Sequence, residues 1–128
     1  MVSRRRSDLK RMQNKHYPLT KAGISEIPTG VSGYYVIYFA SFPAKFYIGS
    51  SKSLRSRLQA HRRNLEQNKH KNKQLRVLYS RFPHECRFAI VFEGDEKAAR
   101  SYEQCHIDFN MPNLYNTDNK VVNYKRRK

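Results

Sequence analysis

Acidic side chains are scarce in this sequence: 10 Asp and Glu stand against 26 Lys and Arg in 128 residues, a formal net charge of +16. Cysteine is nearly absent, with only Cys86 and Cys105. Two thiols make neither a disulfide framework nor a zinc spacing, so both are expected to be small core residues in a reducing interior. No apolar run approaches the roughly 18 residues that span a bilayer, so no membrane partner is expected. The opening stretch, MVSRRRSDLKRMQ, has no apolar segment behind its charges, which excludes a secretory signal and favours a cytoplasmic location.

What is abundant is positive charge. It exceeds what solubility requires and points to a polyanion, with nucleic acid as the leading partner. The length suits one domain with a modest core. Charge is concentrated at both ends and in the middle: the chain closes on Lys125-Arg126-Arg127-Lys128, and Lys52 to Arg87 is strongly basic, relieved only by Glu66 and Glu85. One basic face flanked by basic ends is the footprint of a protein that tracks a phosphate backbone. Residues 1–30 are polar and basic, with Pro18 and Pro28 interrupting any long helix, and are read as a partly flexible arm. Residues 31–116 form the domain, and residues 117–128 a basic tail.

Within that domain the spacing of apolar residues predicts strands over Tyr34–Phe39 and Lys45–Ser50, joined by a tight reversal at Ala40–Ala44 into a hairpin. Tyr34–Phe39 is apolar on both faces and so belongs inside a sheet. Gly49 leaves room for a close approach of backbone or ligand. A first helix over Leu54–Leu65 starts at Ser53, a second covers Lys73–Arg81 and ends before Pro83, and a third strand runs Cys86–Glu93 with Phe88, Ile90 and Phe92 on one side. After Asp95, a plausible cap, a last helix covers Glu96–Phe109, with Ala98, Ala99, Tyr102, His106 and Phe109 as its core stripe.

On the first helix, steps of 100° per residue place His61 within the stripe of Leu54, Leu58 and Leu65 and Arg57 on its border, while Arg55, Arg62 and Arg63 point away. On the last helix Glu103 falls at the edge of an apolar arc, where a carboxylate is costly unless it meets a cation. The arginine and histidine one turn apart on the inner edge suggest a cleft lined by their tips. Lys52, Arg55, Arg62, Arg63, Lys69, His70, Lys71, Asn72, Lys73 and Arg76 are the candidate nucleic-acid contacts.

Gly33-Tyr34-Tyr35, then Tyr47-Ile48-Gly49, then Arg57 and His61 on a helix, then Glu103 and Asn116 form a pattern that resembles the GIY-YIG endonuclease family. His70-Lys71-Asn72 followed by Leu75 resembles the H-x-N-x-x-L element of its phage and organelle homing branch. Tyr34 stands where the family has isoleucine. The resemblance implies an α+β fold, a small three-stranded, mostly antiparallel sheet flanked by helices. It also implies hydrolysis of DNA phosphodiester bonds, with Tyr35, Tyr47, Arg57, His61, Glu103 and Asn116 as the active-site set and Glu103 as the metal ligand. Since the carboxylates do not cluster, one Mg²⁺ or Mn²⁺ per site is expected rather than two.

In that scheme Arg57 clamps the scissile phosphate and Asn116 fixes Glu103 or backbone. Tyr35 serves as base while Tyr47 and His61 orient water or phosphate, and His61 stands as the competing base on intrinsic pKa. The substrate is double-stranded DNA, possibly branched, and the protein a monomer or dimer. Only twelve residues follow Asn116, which leads to an expectation of limited intrinsic sequence specificity. Two other readings stay open: a non-enzymatic basic binding module, and a repair or restriction nuclease of the same family.

Overall fold

The structure is a computed structural model that describes residues 16–110, 114 and 115. Four strands and four helices follow in the order β1 (His16–Pro18), α1 (Lys21–Ser25), β2 (Gly33–Phe39), β3 (Phe46–Ser51), α2 (Leu54–Glu66), α3 (Lys73–Arg81), a 3₁₀ turn (Pro83–Glu85), β4 (Cys86–Glu93) and α4 (Glu96–Asn110). The strands form one antiparallel sheet in the order β1-β4-β2-β3.

The α+β architecture expected from the sequence is present, with one strand more than the three anticipated. The extra strand comes from the stretch read as an arm. Residues 16–18 pair with β4, and Tyr17, Leu19, Ile24 and Ile27 are all buried. Four apolar side chains, each stabilising by about 1.5–3 kcal/mol when fully buried, suffice to dock so short a segment. Thr20 caps α1 by accepting from the Gly23 amide at 3.0 Å.

β2 lies between β4 and β3 and is covered on both faces, as its unbroken apolar run requires. On one face Tyr35, Ile37 and Phe39 meet Phe88 and Ile90 of β4, Leu54, Leu58 and Leu65 of α2, and Leu75 of α3. On the other, Tyr34 and Ile48 meet Ile107 of α4 and Leu114. The strict alternation expected along β4 breaks at a register shift opposite Tyr34 and Tyr35. The shift turns Phe92 to the second face, where it stacks with Tyr34 at 6.2 Å.

α4 departs from the expected stripe. Its buried residues include Ala99, Glu103, Gln104 and Ile107, whereas Tyr102 is 52% exposed and Cys105 is also exposed. Tyr102 uses its ring against Phe92 and Tyr34 from outside. The side chains of His106 and Phe109 lie outside the described set. Cys86 is buried as expected, and burial pushes its thiol up to about 12. Among the described residues no helix is long and apolar enough to cross a membrane.

Candidate active site

β3 ends one side of the sheet, with α2 over one face and α4 over the other, and the chemistry-bearing side chains gather around that edge. Tyr35 opposes Gly49 in the β2–β3 ladder and Ile37 opposes Tyr47. The two tyrosines are therefore diagonal neighbours on one face, within reach of each other. Gly49 is there to admit the Tyr35 ring: a Cβ on residue 49 would sit 2.5 Å from Tyr35 Cζ. The sequence suggested an approaching backbone or ligand; the approaching group is this phenol.

Tyr35 is fully buried, and its hydroxyl lies 2.6 Å from His61 Nε2. Burial raises its pKa well above the usual phenol value; Tyr47 and Glu103 add to the rise, and the Arg57 guanidinium opposes it. Tyr47 is half-buried and meets His61 edge-on, with ring centroids 5.3 Å apart. His61 is held at its other nitrogen as well: Nδ1 lies 2.7 Å from His70 Nε2, and the two rings stack at 4.9 Å. Burial, then His70 and Arg57, depress the His61 pKa to about 3. His70 is lowered too, by burial and by Arg76.

Glu103 approaches from α4 on the opposite face. Ser50, the neighbour of Gly49, hydrogen-bonds its carboxylate, and Arg57 and Arg100 act on it electrostatically. Burial outweighs these and raises its pKa. Its Oε1 is buried with no hydrogen-bond partner. An orphaned carboxylate oxygen fits a hard cation that takes oxygen ligands. Among the described residues no group of three or more His, Cys, Asp and Glu could hold a metal. Glu103 is the residue here that could hold such an ion.

Tyr35, Tyr47, Arg57, His61 and Glu103 are thus brought together, although they come from β2, β3, α2 and α4. Asn116 lies outside the described residues. Ser50 was not anticipated: one serine beside a glycine on an edge strand carries no sequence signal, and its role depends on where α4 docks.

The basic set divides in two. Lys52, Arg63, Lys69, Lys71 and Lys73 are exposed and Arg55 is half-buried. Arg62 does not point away as helical spacing suggested. It is buried, with Nε donating to Gln59 at 3.1 Å and Nη1 to Glu66 at 2.8 Å. His70 and Asn72, expected to face nucleic acid, are buried as well. Asn72 caps α3 by accepting from the Leu75 amide at 3.0 Å, and its Nδ2 donates to the Tyr115 carbonyl at 2.7 Å. Arg76 is half-buried and donates to the His70 carbonyl at 2.9 Å. Of these residues His70 borders the site directly, its ring packed against those of His61 and Tyr47.

Comparison with known proteins gives two findings. Residues 31–116 match the family model of the GIY-YIG catalytic domain. The fold is similar to a mutant form of the catalytic domain of intron endonuclease I-TevI, with a TM-score of 0.61 and 22% identity over 71% of this chain and 97% of that one. A second structure, the catalytic domain of homing endonuclease I-TevI, gives a TM-score of 0.59 and 23% identity over 68% and 98%. At these identities the likeness is one of fold. No protein of curated function matches.

Proposed function

Because the chain belongs to the GIY-YIG catalytic domain family and is an endonuclease, we propose that it hydrolyses phosphodiester bonds in double-stranded DNA through one divalent cation held by Glu103. The observation that carries this reading is the buried Glu103 Oε1 without a hydrogen-bond partner, on a carboxylate that acts electrostatically on Tyr35 and is acted on by Arg57. Such an oxygen costs about 1–3 kcal/mol if it stays unsatisfied, and a bound ion removes that cost.

Arg57 is exposed, so its guanidinium can grip a phosphate with two parallel hydrogen bonds. Tyr35, once it has given up its own proton to water, takes the proton from the attacking water. Tyr47 and His61 border the phenol and hold it in place. Asn116 would hydrogen-bond Glu103 or neighbouring backbone. When bound, Mg²⁺ or Mn²⁺ supplies Lewis-acid polarisation of a phosphoryl oxygen and neutralises the carboxylate charge that helps keep the phenol protonated.

Lys52, Arg55, Arg63, Lys69, Lys71 and Lys73 supply the electrostatic contact with the backbone. Contact of this kind carries little sequence information, so specificity is limited. One site cuts one strand, and a double-strand break takes two protomers or two successive nicks. The homing branch, rather than a repair or restriction enzyme, is favoured by the fold likeness and by His70-Lys71-Asn72 with Leu75.

Supercoiled plasmid tests the reading. The parent should nick it with Mg²⁺ or Mn²⁺ and stop in chelator, while Glu103→Ala and Arg57→Ala lose at least two orders of magnitude in rate, the scale on which single charge-stabilising groups act. Cleavage by both variants at the parental rate would sink the assignment. Linear and branched duplexes compared side by side define the substrate.

A further inference from the structure

The histidines behind Tyr35 form a chain whose far end is pinned by backbone. The Asn72 amide donates to His70 Nδ1 at 3.0 Å. A backbone N–H can only donate, so that ring nitrogen carries no proton, and a neutral His70 must carry its proton on Nε2. Nε2 faces His61 Nδ1 at 2.7 Å. It donates there, which leaves the His61 proton on Nε2, the atom 2.6 Å from the Tyr35 hydroxyl oxygen.

We propose that His70 is a positioning residue: anchored by the Asn72 amide, it locks His61 in the Nε2–H tautomer so that His61 donates to Tyr35 and cannot accept its proton. This rests on the reading of Tyr35 as the base. His61, the competing base on intrinsic pKa, has both ring nitrogens engaged, one accepting from His70 and one donating to Tyr35. Its lowered pKa and that of His70 keep both rings neutral at pH 7, as the chain of single donations requires.

The direction matters to the chemistry. With one lone pair of the Tyr35 oxygen occupied by His61, the O–H bond is directed elsewhere. Breaking it sends the proton to solvent and leaves the electron pair on the phenolate oxygen, toward which the His61 N–H already points. That fixed donor favours the charged form against the burial that opposes it. The H-x-N element therefore acts through the Asn72 backbone amide and the His70 imidazole on His61, not through contact with DNA.

Two-bond ¹H–¹⁵N spectra of the full chain labelled with ¹⁵N-histidine, at pH 7 and without substrate, test the tautomers independently of any cleavage. The expected result is an unprotonated Nδ1 and a protonated Nε2 on both His61 and His70. A protonated Nδ1 on either ring, or an imidazolium, overturns the proposal while leaving the nuclease reading intact. His70→Gln keeps a donor facing His61; His70→Glu presents only an acceptor and should reverse the His61 tautomer. Cleavage by folded His70→Glu should drop roughly tenfold to a hundredfold in kcat with little change in KM, and His70→Gln should retain most of the rate. Equal rates for the two variants would remove His70 from the chemistry.

Discussion

Replacing Gly49 by alanine places a methyl group 2.5 Å from Tyr35 Cζ and 3.1 Å from Cε1. Ordinary contact begins near 3.4 Å, so the ring must retreat by about 1 Å. It has nowhere easy to go, being fully buried, paired across the ladder with residue 49 and bonded to His61. Overpacking of this kind costs about 1–3 kcal/mol. Losing the Tyr35–His61 hydrogen bond adds about 1 kcal/mol. Removing a glycine from a strand returns about 0.5–1 kcal/mol through the unfolded chain. The net loss is about 1–3 kcal/mol, a fall in Tm of about 5–12 °C for a domain this size.

Rate should suffer more than stability, because a displacement of about 1 Å at a reacting group costs on the order of a hundredfold. Urea titration and plasmid nicking on the same preparations measure both. A Tyr35→Leu background removes the clash, so Gly49→Ala should be far less damaging to stability there, a coupling that a double-mutant cycle isolates. If Gly49→Ala matches the parent in stability and nicking, the glycine does not exist to seat the phenol and the site's geometry has been misread.

Glu103→Gln should gain about 1 kcal/mol of stability near neutral pH while losing cleavage, since burial raises the Glu103 pKa and the fold bears the cost of its charge there; a lower Tm would contradict this. Acid should destabilise the protein through His61. Its folded pKa of about 3 lies below the unfolded value near 6.5, so the unfolded chain binds the extra proton between those limits. Stability should then fall as pH drops through that window, by up to about 1.4 kcal/mol per pH unit, and His61→Gln should flatten the slope in urea titrations at pH 7 and pH 5. Among the basic residues, Lys71→Ala should weaken DNA binding and reduce the salt slope of log K by about one. Arg62→Ala should leave that slope unchanged and reduce thermal stability instead, because Arg62 is buried and its hydrogen bonds go to Gln59 and Glu66.

The sequence alone determined the local elements and the chemical inventory. Apolar spacing located β4, α3 and, within a residue or two, β2, β3, α2 and α4, because strand and helix periods are written in consecutive side chains. The order of tyrosines, arginine, histidine and glutamate pointed to the family. Where local pattern and long-range packing diverged, the pattern lost. β1 was unreadable because three residues hold no period; only the face offered by β4 makes them a strand. Tyr102 looked like core, yet the docking of α4 turned Glu103 and Gln104 inward in its place.

Arg62 read as outward-facing charge because helical spacing describes one helix and not what folds against it, and His70, in the connection between two helices, had no period to show that it would be buried. Only tertiary structure decided that the residues resembling a nucleic-acid contact, His70 and Asn72, stand behind Tyr35, and that a carboxylate from one face of the sheet comes under the electrostatic influence of a guanidinium from the other. Burial and hydrogen-bond direction belong to contacts between distant segments, and no stretch of sequence contains them.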